Sequence, residues 1–277
     1  MSRLAARFDD MRRAGEPGLV AYVTAGDPDL QASRDILIAL ERGGADVIEV
    51  GVPFSDPIAD GPAIQRATER ALAAGGTLAR TLDLVGSVRA ELTAPMVLFT
   101  YVNPVVRMGV ERFVDRAAEA GADGVLLLDL PIEESAPMRA ALDRRGLDQI
   151  FLVSPTTTDA RLAEAAALGR GFLYAISRLG VTGARDTVAD SAAPLAARLR
   201  RAASLPIAMG FGVSQPEHVR AICAFADAAV VGSAIVQVIA GEAAAGRAPA
   251  AAVERCVRWL KSGAGSAPPG ATGFGAG

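Results

Sequence analysis

Residues 47–62, VIEVGVPFSDPIADGP, decide the fold prediction. The first six are apolar apart from a glycine and Glu49, a composition typical of a strand that is buried on both faces. Three prolines then break the chain into a loop that carries Asp56 and Asp60. A carboxylate in a buried strand is costly to ionise. Glu49 is therefore either a core acid with a hidden hydrogen-bond partner or a catalytic group, and this segment alone leaves both open.

Seven similar runs accompany the first, and each is followed by a loop and a helical pattern. The eight runs occupy residues 18–24, 46–51, 95–100, 124–129, 149–154, 171–177, 206–210 and 227–232. Most are continuously apolar rather than alternating, which is typical of parallel strands. Eight strands alternating with helices predict an α/β protein with a closed (β/α)8 TIM barrel. An open doubly wound sheet is the alternative, but no G-x-G-x-x-G motif follows the first strand.

Two helical patterns add to the plain barrel. One covers residues 2–14, and the other covers residues 65–73, between the second strand and its main return helix. We expect residues 1–262 to form a single barrel domain. Residues 263–277, GAGSAPPGATGFGAG, carry no charge and are mostly glycine, alanine and proline, so they predict a disordered tail.

Composition excludes several classes of partner. The net charge is −3 with no basic block, which argues against nucleic acid or an anionic membrane. No run approaches the ~20 apolar residues of a membrane helix, and the arginine-rich N-terminal pattern lacks the apolar core of a signal peptide. Cys223 and Cys256 lie in helical patterns and predict buried, reduced thiols. These features predict a cytoplasmic protein.

In a barrel of this kind the chemistry belongs to the C-terminal strand ends and their loops. Glycine-rich turns follow the late strands: SRLGVTGARD from residue 177, GFG at 210–212, and Gly232-Ser233. Glycine lets backbone N–H groups approach an anion, so these turns predict a phosphate site, with ordinary turn glycines as the alternative. Residues 178–190 form a long loop that is either a mobile lid or a plain connector.

An aromatic set near the strand ends suits a ligand with a ring system; it comprises Tyr22, Phe99, Tyr101, Tyr174 and Phe211. Glu49, Asp56 and Asp60 offer oxygen ligands for Mg²⁺, but no tight acidic cluster exists and we expect no metal. The single lysine, Lys261, argues against Schiff-base chemistry. The lone histidine, His218, lies in the helix after strand 7, so a general base has to be a carboxylate or a tyrosine.

Motifs along residues 5–262 resemble the alpha subunit of tryptophan synthase. They are TAGDPD (24–29), VIEVGVPFSDPIADGPAIQ (47–65), YVNPV (101–105), DLPIEES (129–135), SRLGVTG (177–183), GFGVS (210–214) and GSAIV (232–236). Three positions depart from the family pattern. Leu179 is often a small polar residue, Ile132 is often proline, and Tyr22 is replaced by phenylalanine in some relatives. No departure removes a named catalytic group.

The resemblance implies a (β/α)8 lyase that splits indole-3-glycerol phosphate into indole and glyceraldehyde 3-phosphate, a retro-aldol cleavage without metal or organic cofactor. It implies catalytic roles for Glu49 and Asp60. The phosphate contacts of the family match Gly183, Phe211, Gly212, Gly232 and Ser233. Its indole pocket matches Tyr22 and Tyr174, with Tyr101 and Thr182 nearby. It also implies an α2β2 complex with a beta subunit that receives the indole, with a contact through loop 53–60.

Two other functions stay open at this point. One is a ligand-binding regulatory subunit with little activity of its own. The other is a different phosphate-binding barrel enzyme, such as a sugar-phosphate isomerase with Asp or Cys acid–base pairs. The helical positions of both cysteines weigh against that isomerase.

Overall fold

The strands close into a barrel. The computed structural model describes residues 1–176, 188–210 and 212–262. Within them, eight parallel strands pair in chain order and the eighth pairs with the first, which confirms the predicted (β/α)8 barrel over the open sheet. The strands are β1 (Gly18–Thr24), β2 (Val47–Gly51), β3 (Met96–Thr100), β4 (Gly124–Leu127), β5 (Asp148–Val153), β6 (Leu173–Ile176), β7 (Ile207–Gly210) and β8 (Ala228–Val231).

Helices surround the strands, and both predicted additions to the barrel are present as α1 and α3. The α-helices of the described residues are α1 (Arg3–Ala14), α2 (Leu30–Gly43), α3 (Pro62–Ala73), α4 (Leu78–Val88), α5 (Val102–Met108), α6 (Val110–Glu119), α7 (Ala136–Arg144), α8 (Asp159–Leu168), α9 (Val188–Ala202), α10 (Pro216–Cys223), α11 (Ser233–Ala244) and α12 (Ala250–Ser262). The sequence did not predict α5. The expected tail, residues 263–277, and most of the expected lid loop lie outside the described residues.

Helix α1 closes the N-terminal end of the barrel. Ser2 caps it by accepting the Ala5 N–H, and Leu4, Phe8 and Met11 are buried along one face. These three side chains pack in one cluster with inward-facing strand residues such as Val47. Because this end is filled, a ligand cavity inside the barrel has to open at the C-terminal end.

Aspartates hold the strand starts together at the same end. Asp46, Asp123 and Asp227 each precede a strand, and each accepts a backbone N–H from the start of the strand before it. Asp46 is the most buried of the three. Its carboxylate accepts the Leu19 N–H at 2.7 Å and also pairs with Arg7 and Lys261, both at 2.6 Å. The only lysine of the chain thus has a structural partner.

The cysteines lie in helices, as expected. Cys223 ends α10 and is half-buried, whereas Cys256 lies in α12 and is buried; both thiols are free. Among the described residues, the helices are too short or too polar to cross a membrane.

Removing the Asp46 carboxylate tests the anchoring at the strand starts. We expect Asp46→Ala to lower the free energy of unfolding by ~2–4 kcal/mol, because it leaves Lys261 and Arg7 without their buried acceptor. The matched control is Glu111→Ala, which breaks the exposed pair with Arg144 and should cost less than ~1 kcal/mol. Urea unfolding measures both; equal losses would contradict the anchoring role.

Candidate active site

Glu49 lies inside the barrel, in the middle of β2. Its backbone pairs with Tyr22 of β1 and Val97 of β3, and its side chain shares the inner face with Val47 two residues earlier. The residue is 0% exposed, and neither carboxylate oxygen has a hydrogen-bond partner among the described residues. Burial without compensation raises the pKa of Glu49 to about 8. The side chain is therefore mostly a neutral acid at pH 7, able to exchange a proton near that pH.

A cavity of ≈ 290 Å³ opens above it at the C-terminal strand ends. Six of the predicted site residues line this cavity: Tyr22, Asp60, Tyr174, Gly212, Gly232 and Ser233. Tyr101 and Glu49 do not line it. Tyr101 contacts Asp60, and Glu49 lies close enough to Tyr22 and Tyr174 to help raise the pKa of both phenols. The other three, Thr182, Gly183 and Phe211, lie outside the described residues.

Asp60 reaches the cavity from the loop between β2 and α3. The loop turns back on itself because the Asp60 N–H donates to the Pro57 carbonyl at 3.1 Å. The Tyr101 hydroxyl donates to Asp60 Oδ2 at 3.2 Å and accepts the Ala59 N–H at 3.0 Å. Burial raises the pKa of Asp60 to about 6, and the hydrogen bond from Tyr101 opposes that rise. Asp60 is therefore the more readily ionised of the two acids at neutral pH.

Aromatic rings form one wall of the cavity. The ring of Phe99 lies 5.2 Å from that of Tyr22 in an edge-to-face arrangement and 6.3 Å from that of Tyr174, measured between centroids. Burial, the largest effect, and the nearby carboxylates raise the pKa of Tyr22 and Tyr174, so both are neutral phenols. This wall offers flat apolar faces to a planar ligand.

Two glycines make room for the Tyr22 ring. A Cβ atom on Gly51, at the end of β2, would come within 2.2 Å of the Tyr22 hydroxyl oxygen. A Cβ atom on Gly232, after β8, would come within 3.3 Å of Cδ1 of the same ring. The ring carbons Cζ and Cε2 would also lie within 2.6 and 2.8 Å of a Cβ atom on Gly51, so glycine at position 51 is required as long as the Tyr22 ring is present.

Backbone groups after β7 and β8 form one end of the cavity, next to the Tyr22 ring. Gly232 precedes the first turn of α11, and Ser233 is its first residue. Gly212, after β7, has φ +69°, a left-handed conformation that favours glycine. Helix starts present unpaired N–H groups and a partial positive charge, so this end suits an anion such as a phosphate.

Most of the apolar lining was not predicted from the sequence. Besides Phe99, a member of the predicted aromatic set, the cavity is bounded by the aliphatic side chains of Ile64, Leu128, Leu152, Ile176, Val213 and Val230. Strand alternation carries a signal for some of them, because Leu152 lies two residues from the inward-facing Ile150. The same rule assigns Phe99 to the inner face with Val97.

The possible Mg²⁺ set is not assembled. Asp56 is exposed and bonds to the neighbouring Ser55 hydroxyl, and it does not line the cavity beside Asp60. Among the described residues, no group of three or more His, Cys, Asp or Glu side chains could hold a metal ion. His218 lies in α10, where its Nδ1 accepts the Ser214 N–H at 3.3 Å.

Comparisons with known proteins point to one family. The family model described as "Tryptophan synthase alpha chain" matches residues 8–264. The tryptophan synthase alpha chain of Geotalea uraniireducens (strain Rf4) is 51% identical over 237 residues, which cover 86% of this chain and 89% of that one. That of Methylococcus capsulatus is 51% identical over 241 residues, covering 87% and 90%.

Solved structures of tryptophan synthase are similar to this chain as well. A chain of Mycobacterium tuberculosis tryptophan synthase superposes with a TM-score of 0.85 at 38% identity, covering 95% of this chain and 98% of that one. Tryptophan synthase subunit alpha from Legionella pneumophila str. Paris gives a TM-score of 0.86 at 33% identity, with coverages of 95% and 98%.

Because Glu49 is buried without a partner, we expect its substitution to stabilise the protein to an extent that depends on pH. The pKa is about 8 in the folded protein against 4.5 for an unburied glutamate. Between these pH values only the unfolded wild type releases the proton, so wild-type stability falls as pH rises. Glu49→Gln should therefore match wild type below pH 4.5 and become more stable by up to ~3–6 kcal/mol above pH 8, at about 1.4 kcal/mol per pKa unit. Urea unfolding at pH 5 and pH 9 measures this, and a difference that does not change with pH would contradict it.

Proposed function

This chain belongs to the tryptophan synthase alpha chain family, and we propose that it cleaves indole-3-glycerol phosphate to indole and glyceraldehyde 3-phosphate in tryptophan biosynthesis, with Glu49 and Asp60 as its catalytic pair. The observation that carries the residue assignment is the state of Glu49. It is completely buried and unpaired beside Tyr22, which lines the cavity, whereas a merely structural acid would have a hydrogen-bond partner.

The cavity offers complementary surfaces for the parts of such a substrate. Aromatic and aliphatic side chains face a planar indole, and the backbone of Gly212, Gly232 and Ser233 faces a phosphate. We include Thr182, Gly183 and Phe211 in the proposed substrate site because of the family resemblance. Tyr101 contributes to the site through its hydrogen bond to Asp60. The glycerol carbons then lie between the ring and the phosphate, and we assign their proton transfers to Glu49.

Cleavage of the C–C bond requires that the substrate gains one proton and loses another. A proton is added to C3 of the indole, and the hydroxyl of the adjacent glycerol carbon loses its proton as that carbon becomes an aldehyde. We assign both transfers to Glu49, whose neutral form at pH 7 first supplies the proton and whose carboxylate then accepts one. Protonation of C3 places positive charge on the ring nitrogen, and an ionised Asp60 stabilises that charge through the N–H.

We further propose that loop 53–60 contacts the beta subunit of an α2β2 complex. Ile58, at 86% exposed, and Val106 of α5, at 60%, are among the few large hydrophobic side chains in the described residues that face solvent. Tyr101 connects their two segments, because it bonds to Ala59 and precedes α5. Exposed apolar side chains beside a site mouth suit a protein interface.

We propose that residues 1–262 form one barrel domain that carries out the whole reaction. We also propose that the protein is located in the cytoplasm. The free thiols of Cys223 and Cys256 support a reducing compartment. Cell fractionation tests the location, and recovery with an extracytoplasmic fraction would contradict it.

The catalytic assignment predicts large losses from small substitutions. We expect Glu49→Gln and Asp60→Asn each to lower indole release by ~10²–10⁴-fold in the isolated chain without unfolding it, because each removes one ionisable group and keeps the shape. Asp56→Asn, in the same loop but exposed, is the matched control and should stay near wild type. Near wild-type turnover in Glu49→Gln would refute the assignment. A wild-type chain that releases no indole, alone or with a beta subunit, would favour a regulatory role.

The interface assignment predicts that Ile58→Asp weakens binding of a beta subunit by ~10–100-fold while leaving indole release by the isolated chain unchanged. A charge replaces an apolar side chain whose burial is worth ~1.5–3 kcal/mol. Arg13→Asp, on α1 at the closed end of the barrel, is the control and should bind normally. Calorimetric titration measures the affinity, and equal affinity for both variants would contradict the proposed contact.

A further inference from the structure

Helix α3 begins two residues after Asp60, and its far half is fixed by one ion pair. The Arg70 guanidinium donates through Nε to Asp27 Oδ1 at 2.7 Å and through a terminal nitrogen to Oδ2 at 2.8 Å. The Asp27 side chain is 0% exposed and lies in the turn after β1. Two parallel charge-assisted bonds to a buried carboxylate fix orientation as well as distance. Arg70 therefore joins α3 to the β1 end of the barrel.

The near end of α3 holds the Asp60 loop. The Gln65 side-chain amide donates to the Asp60 carbonyl at 3.0 Å and lies 3.4 Å from the Pro57 carbonyl. The Gln65 backbone N–H donates to the Gly61 carbonyl at the helix start. The loop backbone at residue 60 thus follows the position of α3, whereas the Asp60 carboxylate itself is held by Tyr101.

The buried face of α3 contacts other parts of the site. Ile64 and Ala67 pack with Tyr22 on the cavity wall and with Val236 of α11, the helix whose start lies at the anion end. Arg70, Gln65 and Asp27, by contrast, do not line the cavity that the described residues form. Among the described residues, their route to the site runs through the residues that α3 carries or contacts.

We propose that Arg70 and Gln65 are positioning residues for Asp60: the Arg70–Asp27 pair sets the orientation of α3, and Gln65 transmits it to the loop. This inference rests on the proposed lyase function. Asp60 acts on charge that develops only when C3 of the indole is protonated during the reaction, so a shift of its carboxylate lowers kcat more than it raises KM. Displacements of ~1 Å can cost up to ~10²-fold in rate.

The test uses Arg70→Lys and Gln65→Met in the full chain. Lysine keeps the charge but cannot form the two parallel bonds, and methionine keeps the length of Gln65 without its donor. Each should lower kcat for indole release by ~10-fold with KM within about 2-fold of wild type. Glu69→Ala, an exposed residue on the same helix, is the matched control and should change neither constant.

A second arm separates positioning from general support of the fold. In an Asp60→Asn background the Arg70→Lys and Gln65→Met losses should nearly disappear, because the group through which they act is gone. Full kcat in both single variants, or equal losses in both backgrounds, would overturn the inference. If one single variant shows no thermal unfolding transition and is therefore not folded, the kcat of the other variant decides the test. Absence of indole release from the wild-type chain would instead overturn the proposed function, and this inference with it.

Discussion

The site depends on one costly arrangement, a carboxyl group buried inside a barrel without a hydrogen-bond partner among the described residues. In water Glu49 would be ionised at neutral pH; inside β2 its pKa rises to about 8 because no charge or donor compensates for burial. Such a group is tolerated only because the surrounding structure is stable enough to hold it. The filled N-terminal end of the barrel, where α1 packs against the strands, provides that support. It lies at the opposite end of the barrel from the cavity.

The two acids differ because their surroundings differ. Glu49 is on a strand, fully enclosed and unpaired, whereas Asp60 is on a loop, partly open and bonded to a tyrosine. The pKa values of about 8 and about 6 follow from that contrast, so at pH 7 a mostly ionised acid lines the cavity and a mostly neutral acid is buried beside Tyr22. A reaction that needs a proton donor beside a fixed negative charge requires this kind of separation.

Much of the fold could be predicted from the sequence because its signals are local. β1 has the predicted bounds, and the other strands begin and end within two residues of the prediction because turn residues bracket the continuous apolar runs. Helix α5 was missed because Pro104 resembles a turn residue, although in the first helical turn its missing N–H costs no bond.

Contacts across the fold had no such signal. The bonds from Tyr101 to Asp60 and from Arg70 to Asp27 join residues 41 and 43 positions apart, and nothing in either residue's neighbourhood specifies its partner. Glu49 could be identified from the sequence because it interrupts an apolar run. Its lack of a hydrogen-bond partner depends on distant residues and required the structure.

The Tyr22 ring has a consequence for how this site can change over generations. A Cβ atom at position 51 would lie 2.2 Å from the Tyr22 hydroxyl oxygen, 2.6 Å from Cζ and 2.8 Å from Cε2 of the same ring. Phenylalanine at position 22 would remove the oxygen but keep both ring carbons, so even alanine stays closed to position 51 while an aromatic ring occupies position 22. A lineage that keeps an aromatic residue at position 22 therefore also keeps the glycine.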